Sequence, residues 1–417
     1  MLFLNNNDYS SMEVSTMDAI EVLTNLDQIH GYFQPIFSAD AHTVIAYEIS
    51  GQLQIEGQQI NLKDFVNNED IPEEYRIDME HKILHAALTQ IDTIASDIDI
   101  YIPSNPNLLM QDFGESHFNI IQQYIGEDDL HRIVLVVSEH RFLGNINKLH
   151  HALRYFTTFG VKIAVQEVGA ESHLEHIALL SPQILKVNIR DLNYDSWSAQ
   201  SDMISAIGSL AYKIGANLLF EGIGTVYQLQ FAWKNGGRFY QGSYLANAAK
   251  TFVEKDILKE RFKEECQQFI TSEKKMLEAQ YFELKKLREE LEAIVHRVKP
   301  SSDNISQLEH LAELLDHYSF RLYICNEDGF QLTPNVMRLE GKWELQPNAI
   351  NKNWSWRPYF LQTIIKMRND QNGEISELYR DIETGEITRT FSIAINEHEY
   401  LFVDLSYDFL YEHNIFR

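Results

Sequence analysis

The chain is poor in cysteine, poor in cations and free of long apolar runs. Its 417 residues hold two cysteines, Cys266 and Cys325, with no metal-type spacing. That excludes a disulfide framework and predicts reduced thiols. Lysine and arginine total 35 against 61 aspartates and glutamates, a formal charge of -26. A surface this acidic repels phosphate backbones and anionic lipid, which argues against nucleic-acid and membrane-surface binding. A small nucleotide in a pocket with its own donors stays possible. The start, Met1-Leu2-Phe3-Leu4 and three asparagines, lacks the basic region and apolar length of a secretory leader. No window approaches a membrane-spanning helix, and Ile133 to Val137 is only strand-sized. A cytoplasmic location is expected. No GxGxxG turn follows the first strand candidate, which argues against a dinucleotide-binding fold.

What is present is an alternation. Residues 1 to 24 form a polar lead-in. From there, strand candidates fall at 31–37, 43–53, 98–103, 133–139, 162–168, 184–189, 216–223 and 238–245. Most are short and rich in Ile, Val and aromatics, as strands buried on both faces should be. Helical patterns lie between them, at Pro72 to Ile94, Asn145 to Phe159, Ser198 to Ile214 and Val226 to Asn235. Eight strands interleaved with helices over 25–255 predict an α/β fold, a (β/α)₈ TIM-type barrel, in which ligands sit at the C-terminal strand ends. Those ends are polar: Tyr47-Glu48-Ile49-Ser50, Val165-Gln166-Glu167, Lys186-Val187-Asn188, Phe220-Glu221-Gly222 and Tyr240-Gln241-Gly242.

The ordered series Tyr32 to Phe37, Val44 to Ser50, Val134 to Glu139, Ala164 to Gly169, Leu185 to Asn188, Phe220 to Gly224 and Gly236 to Gly242 resembles the EAL-domain phosphodiesterases that hydrolyse cyclic di-GMP. The resemblance implies carboxylates and an amide holding two Mg²⁺ or Mn²⁺ ions that activate a water. Such hard ions want near-octahedral oxygen shells, and a pair of them stabilises both the attacking and the leaving oxygen. By the same resemblance, Glu48 and Glu221 stand at metal-binding glutamates. Lys186 stands at the lysine near the attacking water, Gln241 at the glutamine supporting that water, and Gln34 at a nucleotide contact. Glu139 stands at the glutamate that anchors the next loop, and the nucleotide-binding set is Gln34, Glu48, Glu139 and Gln241.

Other positions depart from the family pattern. Gln52 replaces a phosphate-holding arginine, and Pro103 an asparagine ligand. Val136 replaces a glutamate ligand with hydrocarbon. Gln166 and Glu167 stand at a pair of aspartates, Asn188 at another aspartate and Gly224 at a glutamate. The vestigial metal set is Glu48, Glu167 and Glu221, too little charge to offset the dehydration of two divalent ions. The vestigial catalytic set is Lys186, Glu221 and Gln241. No cofactor is then required, and Mg²⁺ or Mn²⁺ matters only if residual activity survives. The pair His173 and His176 shares a helix face but lacks a third cysteine or histidine, so two surface histidines are expected.

Residues 256–298 read as a helical connector. Leu284, Leu287, Leu291, Ile294 and Val298 form a heptad stripe, which predicts a dimerising seam over a helix packed on its own protein. The segment 299–417 reads as a small α+β module. Its Trp354-Ser355-Trp356-Arg357-Pro358-Tyr359-Phe360 and Tyr379-Arg380-Asp381-Ile382-Glu383-Thr384-Gly385 resemble segments of PAS- and Cache-like sensors. That resemblance implies a ligand gripped by Arg357, Tyr359 and Asp381. The expected protein is a catalytically inactive EAL-like signalling protein. It would work as a homodimer and act on an unidentified protein partner, with cyclic di-GMP as the candidate ligand of the barrel and a small molecule as the candidate ligand of the C-terminal domain. The alternatives are a residual metal-dependent phosphodiesterase and a scaffold that binds no nucleotide.

Overall fold

The computed structural model describes residues 19–55, 58–192, 197–298, 303–357 and 360–413. The chain divides into two compact units, Met1–Phe269 and Ile270–Arg417. No helix among the described residues is long and apolar enough to cross a membrane.

The first unit is built on nine strands: β1 (Ile29–Ser38), β2 (Val44–Ile55), β3 (Gln58–Asn61), β4 (Asp99–Pro103), β5 (Ile133–Val137), β6 (Lys162–Val165), β7 (Ile184–Asn188), β8 (Asn217–Glu221) and β9 (Gly237–Tyr240). Their order is β1-β9-β8-β7-β6-β5-β4-β2-β3, and a further β1–β2 pairing closes eight of them into a barrel. The strands from β4 to β9 pair in parallel through crossovers, as expected. β1 is the exception, antiparallel to both β2 and β9. The physical reason is the link: five residues, 39–43, join β1 to β2. A parallel return needs a crossover of roughly a dozen residues or more.

Strand alternation sorts the side chains. Ile36, Ala46, Tyr101, Val134, Val136, Ala164, Ile184 and Leu219 fill the barrel interior as one apolar cluster. The opposite faces of the strands pack under a shell of helices that includes Glu73–Leu88, Ile146–Thr158, Trp197–Ile214 and Val226–Lys234. At the C-terminal ends two backbones nearly touch. A Cβ on Gly242 would sit 2.1 Å from the Ile223 carbonyl oxygen. Only glycine lets the ends of β8 and β9 approach this closely and so set Glu221 beside Gln241.

The second unit holds a six-stranded antiparallel sheet, in the order β12-β11-β10-β17-β16-β13. These strands are β10 (Ser319–Asn326), β11 (Asn335–Leu339), β12 (Lys342–Gln346), β13 (Glu374–Ile375), β16 (Thr390–Ala394) and β17 (Glu399–Leu405). A small separate ribbon pairs β14 (Tyr379–Arg380) with β15 (Ile387–Thr388). One continuous helix, Lys259–Arg297, precedes this sheet. Its heptad stripe is not an open seam. Leu287, Leu291 and Val295 are buried in the unit's own core with Leu308, Leu311, Leu322 and Val403, and Leu284, Ile294 and Val298 pack on that core. The expectation of a dimerising seam is corrected here. An apolar stripe is satisfied by any apolar surface, and the nearest one belongs to the same unit.

Candidate functional site

The C-terminal mouth of the barrel opens as a cavity of about 750 Å³, lined among others by Gln34, Glu48, Gln52, Gln166, Glu221 and Gln241. This is the size of an ordinary small-ligand site. The strand ends named from the sequence converge because in-register parallel strands bring their last inward residues to one level. Asn188 lies opposite Glu221 across β7 and β8, and Pro103 opposite Val136 across β4 and β5.

The floor of the cavity is electrostatically closed. Lys186 is fully buried, and its ammonium donates to Glu48 and lies 2.9 Å from Glu221. Burial alone would lower the Lys186 pKa, but the Glu221 and Glu48 carboxylates outweigh it and hold the amine above its ordinary value. For Glu221 burial pushes upward, and Lys186 reverses the sign and keeps the carboxyl below its ordinary range. One cation therefore neutralises part of the charge that metals would use.

The remaining acidic candidate is held as well. Glu167, in a left-handed conformation (φ 58°), accepts from Ser138 Oγ at 3.0 Å. It also lies 2.7 Å from Arg141 Nε and 3.6 Å from Lys63 Nζ. Asn188 Oδ1 accepts from the Arg190 backbone N–H at 2.9 Å. Gln34 donates to the Ala246 carbonyl, and Gln52 accepts from Gln59. Gln241 Oε1 is different: it is buried and has no hydrogen-bond partner among the described residues, and its residue lines the cavity.

These positions test the two ions the resemblance implies. Val136 is fully buried among hydrocarbon, and Gly224 and Pro103 line the cavity without a side-chain oxygen. The residues do not fit a two-ion centre. The oxygens that would meet a hard divalent cation here include those of Glu48 and Glu221, both engaged by Lys186, and the uncommitted Gln241 Oε1.

Several placements differ from expectation. Glu139, expected among the nucleotide-binding residues, does not line the cavity. Its Oε1 accepts from the His173 backbone N–H at 2.9 Å, an anchor for the loop after β6. Lys186 lies beneath the mouth, not in its wall. Sequence reasoning missed the cations. Lys63, Arg141 and Arg190 all line the cavity, in place of the charge absent at Gln52. They come from loops and a short helix, where no periodicity marks a position as pocket-facing. It also missed Tyr101, an inward phenol below the cavity whose pKa burial raises, with Asp99 and Glu48 adding to the shift.

In the second unit, Asp381 is buried and receives Arg321 Nη2 at 2.7 Å, the Thr384 N–H at 2.9 Å and the Thr384 hydroxyl at 3.0 Å. An amine ligand would have to displace Arg321. Arg357 is buried with its guanidinium 4.7 Å from the Trp354 ring centroid and 5.9 Å from that of Tyr379. Tyr359 lies outside the described residues.

A closed barrel with carboxylates, amides and a buried lysine at its C-terminal mouth defines a TIM-barrel protein with one polar ligand site. The chain belongs to the EAL-domain family. The family model "EAL domain" matches residues 17–248, and "EAL-domain associated signalling protein domain" matches residues 252–416. The chain is 43% identical over 401 residues to the EAL-domain containing protein YkuI of Bacillus subtilis, covering 95% of this chain and 98% of that one. A crystal structure of that Bacillus subtilis protein, in complex with substrate c-di-GMP and calcium, superposes with a TM-score of 0.90 over 95% of this chain and 99% of that one. The phosphodiesterase PaMucR, in a c-di-GMP complex, shares the barrel fold at 20% identity and a TM-score of 0.50, over 55% of this chain and 96% of that one.

Proposed function

We propose that this chain is a signalling protein whose barrel receives cyclic di-GMP without hydrolysing it. The observation that carries the reading is the shared lysine. Glu48 and Glu221, the two carboxylates left at the metal positions, are both engaged by the buried Lys186, and Val136 adds only hydrocarbon. A water without its activating ions reverts from a pKa near ~7 toward that of bulk water, about 15.7. The cavity nonetheless keeps what a bis-phosphate ligand needs: volume, Lys63, Arg141 and Arg190 as cations, and Gln241 as a hydrogen-bonding group. The Bacillus subtilis relative, described in complex with c-di-GMP and calcium, supports the same ligand here.

The test is labelled cyclic di-GMP incubated with the purified full chain, with and without Mg²⁺, Mn²⁺ or Ca²⁺. Retention without a linear product is the expected result. Arg190→Ala should weaken retention by about 10–100-fold, the loss of one charge-assisted phosphate contact worth ~1.5–3 kcal/mol. Turnover abolished by Glu48→Ala would instead establish the second reading, a residual metal-dependent phosphodiesterase. That reading is favoured by the Bacillus subtilis relative, whose complex holds c-di-GMP as substrate together with calcium. Neither retention nor turnover would leave a scaffold.

The second unit is read as a PAS/Cache-like regulatory module and the whole as a homodimer. Leu277, Tyr281 and Phe282 are large apolar side chains exposed on the Lys259–Arg297 helix, which supports a self-association surface away from the buried stripe. Light scattering of the full chain should give twice the chain mass of 48.6 kDa.

A further inference from the structure

We propose that Glu139, His173 and His176 form a binding site for one borderline transition ion, Zn²⁺ foremost, separate from the cavity at the barrel mouth. The sequence offered two histidines and no third ligand. The fold supplies the third, because the end of β5 lies against the loop that follows β6. Glu139 Oε2 is 3.7 Å from Nδ1 of His173 and 3.7 Å from Nδ1 of His176. The three donor atoms all lie within 4.8 Å of one another. Zinc bonds of ~2.0–2.1 Å at tetrahedral angles separate ligand atoms by about 3.4 Å. Closing on an ion shortens each contact to Oε2 by a few tenths of an ångström and draws the two imidazole nitrogens together by up to about 1.4 Å, a ring rotation open to exposed side chains.

A second observation points to a ligand. The Glu139 carboxylate is fully buried, and Oε2 has no hydrogen-bond partner among the described residues. A buried carboxylate oxygen without a hydrogen bond is costly, and a coordinated cation removes that cost. The other oxygen, Oε1, is fixed by the His173 backbone N–H, which aims Oε2 at the two rings. The histidine side chains are 64% and 32% exposed, which leaves a route for the ion and room for a water as fourth ligand. Two imidazoles and one carboxylate select Zn²⁺, Co²⁺ or Ni²⁺ over Mg²⁺ and Ca²⁺, which demand oxygen shells. The ion would tie the end of β5 to the loop after β6. That loop carries Gln166 and Glu167 into the cavity wall, so metal occupancy restrains part of the ligand site. The proposal does not depend on what the cavity binds.

The experiment uses the chelator-stripped full chain. Zn²⁺ is titrated against a chromophoric chelator, and Co²⁺ is followed by its visible absorption. One site per chain with a four-coordinate Co²⁺ spectrum is expected. His173→Ala and His176→Ala, both on accessible side chains, should each weaken binding by about 100-fold or more, since even outer-shell changes cost ~10–100-fold. Hydrogen exchange over 166–176 should slow on adding Zn²⁺ to the wild type and not to His176→Ala. Zinc binding unchanged in both variants, or a six-coordinate Co²⁺ spectrum, overturns the site. Unaltered exchange in metal-loaded wild type overturns its restraint of the loop.

Discussion

Lys186→Met should destabilise the barrel by about 3–5 kcal/mol, the usual cost of removing one partner from a buried ion pair. The substitution keeps an unbranched apolar stem, one heavy atom shorter, and removes the ammonium that Glu48 and Glu221 share. The sign of the pH dependence identifies the cause. In the wild type the Glu221 carboxyl is held below its ordinary value. Its contribution to stability is therefore present above the unfolded value, about 4.3, and is lost as pH falls through the lower folded value. The Lys186 amine is held above its ordinary value, so its contribution persists to about pH 10.4 and is lost as pH rises through the folded value. In Lys186→Met the Glu221 carboxyl loses its nearest counter-charge and keeps only the weaker influence of Lys63 and Arg190, so its pKa must rise. The variant should gain stability on mild acidification from neutral pH, where the wild type is flat. Denaturant melts of the barrel, read by regional hydrogen exchange at pH 5 and pH 7.5, measure this. Equal slopes in the two proteins would contradict the shared-lysine account. Adding Glu221→Gln to Lys186→Met should return part of the loss, because it removes the stranded charge.

Arg321→Met should have an effect of similar size in the second unit. Arg321 is buried, with Nε 2.6 Å from Asp404, Nη2 2.7 Å from Asp381 and Nη1 3.0 Å from Glu383. Asp404 is itself buried on β17, opposite Arg321 in the β10–β17 register. Removing the guanidinium leaves two fully buried carboxylates without the cation they share, again a loss of about 3–5 kcal/mol. Hydrogen exchange of β10 and β17 should accelerate while the barrel strands keep their wild-type protection. Uniform acceleration in both units, or none, would contradict a local network. The same network bears on sensing. Asp381 stood out in the sequence beside a threonine-glycine turn, as ligand-facing aspartates do. Its partner Arg321 lies 60 residues earlier, and nothing local in the sequence announces that pair.

The strand ends were legible because their signal is local. A short apolar run that stops on a polar residue has few foldings open to it, and β4 to β9 fall where those runs predict. The substitutions at Val136, Gln166, Asn188 and Gly224 were legible for the same reason: each is one residue at a fixed place in an ordered series. Three kinds of feature were not. The cations Lys63, Arg141 and Arg190 come from irregular or short segments, where direction depends on the whole barrel. The heptad stripe around Leu287 and Leu291 was visible, but its partner was not, since apolar packing is non-directional. The histidine pair was visible, while Glu139 is 34 residues away from His173 in the chain.

The sequence by itself determined the strand and helix order, the closed barrel, the family and the residue types at the strand ends, because each follows from residue type at a fixed spacing. Only the tertiary structure decided how the surviving charges are partitioned. It gave Glu48 and Glu221 to one buried lysine, Asp381 to Arg321, the apolar stripe to its own core, and Glu139 to two histidines. Charge pairing and close packing depend on distance in space, and spacing along the chain carries no record of it.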